Sequence, residues 1–291
     1  MARSSRDEAV LKTNESGRRL LRIPLRSLAI VMSLCLTVSP SHAQDSAPAE
    51  SRQQESAGAE RDLPEFNSGR DPTNLPPTYG VILSQAKFAD GDRLRSVTLR
   101  DIHKFGRDYG AVTIPFGDFV PGTPSGTYAT GLGDILLEYL HIFPNLSEKA
   151  VHGLGLALQL DTATNSQLGS GTTVIEPFYA LSYYEEKTVQ LVLKVQYLRD
   201  IGAGFATPVT DTVVLSPFAI FEFPGSWYAQ VRFNNFIDLK STPSTFTSEV
   251  AIGNVIAGHY NVSLDYEFPL THDSRVFNVE ARFTLSLLYQ Y

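Results

Sequence analysis

The chain has 291 residues, a net charge of −7, 43% hydrophobic and 19% charged residues, and one Cys. An acidic balance excludes a general nucleic-acid binder, which would be basic, and a single Cys excludes a disulfide framework. With 17 Phe and 13 Tyr against two Met and one Trp, the composition favours strands over helices, and no apolar run reaches the ~18 residues of a transmembrane helix.

The N-terminus reads as an export signal. Arg3, Arg6, Lys12, Arg18, Arg19, Arg22 and Arg26 precede the apolar stretch Leu28 to Val38, and Pro40-Ser41-His42-Ala43 offers small residues for a cut before Gln44. This is the basic, apolar and cleavage succession of a secretory leader, residues 1–43. Cys35 lies inside the apolar stretch behind Leu34, which is not the small residue that lipidation requires. Cleavage would leave 17 basic and 28 acidic side chains, a net of −11, and no thiol. Residues 44–77 then read as a disordered periplasmic linker. They hold seven acids, three Arg and scattered apolar residues, too few to offset the entropy of ordering. A small periplasmic plug is the alternative reading.

From Thr78 onward apolar residues recur at every second position. Phe277, Val279, Ala281, Phe283, Leu285, Leu287, Tyr289 and Tyr291 alternate with Asn278, Glu280, Arg282, Thr284, Ser286, Leu288 and Gln290. Successive strand side chains point to opposite faces, so this is one greasy and one wet face. The same period marks Leu154 to Leu160, Val189 to Tyr197, Trp227 to Phe233 and Tyr260 to Phe268, and more weakly residues 79–88, 94–104, 107–117, 134–143, 173–184, 212–223 and 248–257. Twelve strands of the length that crosses a tilted bilayer result. Long connections (89–93, 118–133, 161–172, 199–211, 240–247, 270–275) alternate with short ones (105–106, 144–150, 185–188, 224–226, 258–259), as they do between the outer and periplasmic ends of outer-membrane barrels.

A soluble sandwich gives the same period. Three features favour the membrane: long, end-matched strands, a bulky apolar face, and aromatic residues at the short-turn end. Phe143, Tyr183, Phe223, Trp227 and Tyr291 all have outward parity there, where rings with a polar edge suit the headgroup level. The expected fold is therefore all-β, a transmembrane antiparallel up-and-down barrel of about twelve strands over residues 78–291. The last residues, with Tyr291 preceded by Tyr289, Leu287, Leu285 and Phe283, also resemble the C-terminal signature of bacterial outer-membrane proteins. That resemblance implies insertion by the barrel assembly machinery through Tyr291.

Thr130-Gly131-Leu132-Gly133-Asp134, followed by Ile135-Leu136-Leu137-Glu138-Tyr139, resembles a segment of the outer-membrane barrels named for the meta-pathway of phenol degradation. Gly153-Leu154-Gly155-Leu156-Ala157-Leu158 and Leu168-Gly169-Ser170-Gly171 are similar to that family's next strand and loop. The resemblance implies a transporter of small, often aromatic, molecules.

The inward parity carries Asp134, Glu138, Asp161, Glu176, Glu222, Asp265, Glu267 and Glu280 against Lys194, Arg232 and Arg282. These are the candidate pore-lining residues of a lumen that favours cations or neutral solutes. The bland reading is a salt-bridged interior that stiffens the wall, with Glu280 and Arg282 pairing across strands and Asp134 fixing the mouth of a long loop. Phe178, Phe218 and Tyr228 share the inward parity, either to stack on an aromatic solute or to fill the lumen. His103, His141, His152, His259 and His272 stand in no hydrolase or metal motif, so no catalytic residue, metal or cofactor is expected. The expected function is a channel for small organic solutes, aromatic compounds among them, in the bacterial outer membrane with its lipid as partner. The alternatives are a structural or surface barrel with a blocked lumen and, behind it, an outer-membrane hydrolase. Binding of nucleic acid is not expected.

Overall fold

The computed structural model describes residues 67–186, 188–201, 211–240, 244–271 and 279–291. The leader with its cut at Ala43, residues 44–66, His272 and Phe277 lie outside the described residues. Thirteen strands follow one another: β1 (Thr78–Phe88), β2 (Arg93–Phe105), β3 (Asp108–Val120), β4 (Ala129–Leu132), β5 (Leu136–Ile142), β6 (Ala150–Gln159), β7 (Val174–Glu186), β8 (Val189–Asp200), β9 (Asp211–Phe223), β10 (Trp227–Asp238), β11 (Ser244–Ile256), β12 (Tyr260–Pro269) and β13 (Val279–Gln290). β4 and β5 both pair with β3, at Phe116 to Phe119 and Asp108 to Thr113 respectively, so they form one stave broken at residues 133–135. Every other pairing joins chain neighbours, and β1 pairs with β13 as well as β2. The result is a closed antiparallel barrel of twelve staves.

The alternation in the sequence becomes the two faces of this wall. On β6, Leu154 and Leu156 are 53% and 44% exposed on the outside, whereas Ala157, the next residue, is 1% exposed. Val97, Leu99, Phe116, Leu137, Ile252, Leu264 and Phe283 continue the outer apolar band. The inner face is mixed. Ser182, Gln230, Thr247, Ser263 and Glu267 are buried there, beside the apolar cluster Ile102, Tyr109, Leu140, Ile142, Val151, Ala157 and Phe178.

Three expectations need correction. First, residues 67–77 are not a free linker. Ser68, Asp71 and Thr73 are buried, and Leu75 packs against the inner apolar cluster, because this polar segment finds hydrogen-bond partners on the barrel's inner wall. Second, Val279 does not face out. The register slips between Lys87↔Ala281 and Phe88↔Val279, so Glu280 is an extra residue in its strand and the parity reverses before it. Val279 is 5% exposed as a result. Third, the stave placed at 134–143 begins earlier, at Ala129, and is interrupted where the sequence had put its start.

The outer band carries an energetic expectation. An arginine at a lipid-facing position near mid-bilayer costs about 2–4 kcal/mol. Leu154→Arg is expected to lower the unfolding free energy in liposomes by that order. An arginine at Thr98, which has the inward parity of β2, is expected to cost markedly less, as read by denaturant titration of Trp227 fluorescence.

Candidate functional site

The inner space is organised at three levels. At the short-turn end, residues 67–77 enter the barrel. Backbone turns shape them locally: Asn67 Oδ1 accepts from the Gly69 amide at 2.8 Å and Asp71 Oδ1 from the Thr73 amide at 2.8 Å, Asx-type bonds that stand in for regular structure. The Arg70 guanidinium donates to Asp265 Oδ1 and Ser263 Oγ on β12, both at 2.6 Å, and to Tyr228 Oη on β10 at 3.4 Å. The Asp71 carboxylate accepts from the hydroxyls of Ser182 (2.6 Å) and Tyr184 on β7. Asn261 of β12 donates to the Ser68 carbonyl, and Gln290 of β13 to that of Asn67. Leu75 meets the apolar cluster contributed by β2, β3, β5, β6 and β7. Contacts to strands all round the wall place the segment as a plug. Burial alone would pull the Arg70 guanidinium down, but Tyr228 and Asp265 outweigh it and hold its pKa above the ordinary arginine range.

The middle level is a belt of paired charges. Arg100 faces Glu138 at 3.5 Å, Arg232 faces Glu249 at 3.8 Å, and Arg282 faces Glu267 at 3.3 Å. Gln196 donates to Glu176, Gln230 to Glu249, and Thr247 to Glu267. Lys194 interacts electrostatically with Glu138 and Glu176. A cavity of ≈ 190 Å³ opens among Arg70, Arg100, Arg232, Glu249, Asp265 and Arg282. The three inward rings are covered by the chain's own cations: Lys194 lies 4.4 Å from the centre of Phe178, Arg232 4.6 Å from Phe218, and Arg70 5.7 Å from Tyr228. Such cation–π contacts are favourable in a desolvated setting and already occupy a face of each ring.

At the long-loop end, Asp134 holds the 160–173 loop. Its carboxylate accepts from the amides of Thr162, Ala163 and Ser170, from the Ser170 hydroxyl, and from Gln159 Nε2, at 2.6–3.3 Å. Room for the loop comes from Gly131, whose φ of +150° and close approach to Thr164 Oγ1 admit no side chain. Leu168 then reaches the inward side of β3 near Gly117. The Gly131-Leu132-Gly133-Asp134 motif is thus a device that docks a loop inside the mouth.

The candidate residues therefore separate. Glu138, Glu176, Lys194, Arg232, Glu267 and Arg282 lie in or beside the belt, Asp265 anchors Arg70, and Glu222 lies near the end of β9 at the plugged mouth. Asp134 is a loop anchor. Asp161 lies in the loop beyond β6, exposed, and is corrected from the pore-lining set because β6 ends at Gln159. Glu280 is corrected likewise: its bulged position puts it in a half-exposed pair with Lys87 at 2.6 Å. The girdle residues hold their end of the wall. Phe223 and Trp227 are cross-strand partners, Phe143 stacks on His152, and Tyr291 bonds His103 at 2.9 Å. Tyr183 is half-buried on β7. The four described histidines bond Asp, Tyr or a backbone carbonyl, with no serine among those partners.

Sequence reading missed Arg70, Asp71, Arg100 and Glu249. Arg100 and Glu249 lie at inward parity in two weakly patterned strands. The signal for the plug was the turn-forming run Asn67-Ser68-Gly69-Arg70-Asp71-Pro72-Thr73-Asn74 shortly before β1.

No family model and no curated protein matches the chain. Solved structures do resemble it. An outer membrane channel from Pseudomonas putida F1 gives a TM-score of 0.59 at 13% identity, over 76% of this chain and 97% of that one. The KdgM porin gives 0.51 at 8% identity, over 74% and 99%, and the NanC porin 0.50 at 7%, over 72% and 98%. At these identities the likeness establishes the barrel fold.

The Asp134 hub predicts a local effect. Losing charge-assisted bonds costs about 1.5–3 kcal/mol, so Asp134→Ala should free the 160–173 loop. Limited proteolysis is expected to nick that loop faster, with the barrel still resisting heat in gel mobility. Asp161→Ala, in the same loop, should leave the cleavage rate unchanged.

Proposed function

We propose that the protein is a passive channel of the bacterial outer membrane for small organic solutes, with a preference for cations. Support for the location comes from the exposed apolar band, the aromatic short-turn end and the fold shared with porins. In this reading residues 1–43 direct export, and Tyr291 at the end of the last stave is the contact for barrel assembly. Outer-membrane lipid covers the apolar band. A polar lumen lets solutes diffuse down their gradient without a cofactor.

The observation that carries the selectivity is the inward charge. Glu138, Glu176, Glu222, Glu249, Asp265 and Glu267 line the wall against Arg100, Lys194, Arg232 and Arg282. An acidic excess raises the local concentration of cations and lowers that of anions. The resemblance to the meta-pathway barrels supports small aromatic compounds among the cargo. Because Phe178, Phe218 and Tyr228 are already covered, such solutes would be recognised through polar groups rather than by stacking. The second reading, a surface barrel with a blocked lumen, is favoured by one observation, the plug at residues 67–77.

Planar bilayers separate the two. At pH 8.5, a salt gradient across a bilayer holding the full chain should give a reversal potential of cation-preferring sign, and Glu222→Gln should move it toward zero. Glu280→Gln should not, since Glu280 sits at the rim with Lys87. No conductance under any salt or voltage would overturn the channel and leave the blocked barrel.

A further inference from the structure

We infer that Asp265, Ser263 and Tyr228 form a binding site for the guanidinium or ammonium group of a solute, occupied in the resting protein by the chain's own Arg70. The inference rests on the channel reading and names the chemistry of its cargo.

The site is built to accept donors. Tyr228 is fully buried and its hydroxyl donates to Asn261 Oδ1 at 2.9 Å, which leaves its oxygen lone pairs turned to Arg70. Ser263 Oγ and Asp265 Oδ1 are acceptors at 2.6 Å, and the Tyr228 ring adds a π face at 5.7 Å. Carboxylate, two hydroxyl oxygens and a ring face together select for a cation. Gly253, the cross-strand partner of Tyr228, keeps the ring in place: a Cβ there would collide with its hydroxyl end.

Arg70 behaves as a tethered ligand in this cradle. It belongs to no stave, and the bonds from Asn67, Ser68, Arg70 and Asp71 to the barrel are polar and exchangeable with water. Both Arg70 and Asp265 border the ≈ 190 Å³ cavity of the belt, so a solute in that cavity reaches the cradle directly. The adjacent Asp71 carboxylate, held by the Ser182 and Tyr184 hydroxyls, gives the displaced segment a second foothold. A short tether confers an effective concentration on the order of millimolar. A free cationic solute competes with Arg70 in that range, and its binding loosens the plug.

The test uses the full chain and methylguanidinium as the probe. In planar bilayers Arg70→Ala should conduct severalfold more than the unaltered protein, Arg70→Lys should return toward the resting value, and millimolar methylguanidinium should raise the current of the unaltered protein. By titration calorimetry in detergent, methylguanidinium should bind Arg70→Ala and lose about tenfold or more in affinity in the Arg70→Ala, Asp265→Asn double variant, as expected for loss of a charged hydrogen bond of ~1.5 kcal/mol. Heat-modifiable gel mobility checks that each variant is folded. Equal binding by the single and double variants, or no binding to folded Arg70→Ala, would overturn the cation site. Binding that follows the expected pattern with no conductance in any variant would keep the site and reject the channel.

Discussion

A strand in hydrocarbon has no water to satisfy its backbone, and an unpaired peptide group there is costly enough that a sheet survives only when closed. Closure is the constraint from which the rest of this molecule follows. β1 must find β13 at the far end of the chain, and it does so over eleven matched pairs. Once the sheet is closed, each strand has a lipid side and a lumen side. The period-two pattern then decides every side chain's environment. A slip of one residue would exchange the two faces. The register irregularities, at Lys87/Phe88 and Tyr184/Glu186, accordingly lie at strand ends.

Closure also creates an interior that twelve staves cannot fill with wall residues alone. The chain fills it from both ends. Residues 67–77 enter at the short-turn end through Arg70, Asp71 and Leu75, and the 160–173 loop enters at the long-loop end through Asp134 and Leu168. Between them the charges are cross-paired, and buried charge is tolerable only when paired and hydrogen-bonded. The pairing has a second effect. Arg100, Arg232 and Arg282 are held by carboxylates on other strands of the wall, so the belt is stiff. Arg70 comes from outside the wall, on the segment that precedes β1, and reaches Asp265 across the lumen mouth.

The strand pattern made most of the fold legible. β7, β9 and β12 begin within about one residue of where alternation starts, because side-chain parity is a local property. What failed was non-local. Arg70 pairs with Asp265, 195 positions away, and nothing in a run of polar, turn-forming residues announces such a partner, so the segment read as a linker. Glu280 looked inward by parity, and only the register against β1 reveals the bulge. The loop-holding part of Asp134 is legible, because a carboxylate after two glycines can cap incoming amides. Phe178, Phe218 and Tyr228 lie inside the wall as their parity indicates, but their cation partners come from other segments and are invisible to a one-dimensional pattern.

On every stave the apolar stripe faces lipid while the polar one encloses the lumen. Single cysteines introduced at Leu154, Leu285, Thr98 and Thr284 into a chain in which Cys35, the one native cysteine, is replaced by Ser, each carrying a fluorophore, test it in liposomes containing nitroxide-labelled lipid. Strong lipid quenching at 154 and 285, with weak quenching at 98 and 284, is the expected result. Equal quenching at all four, or stronger quenching at 98 and 284, would contradict it.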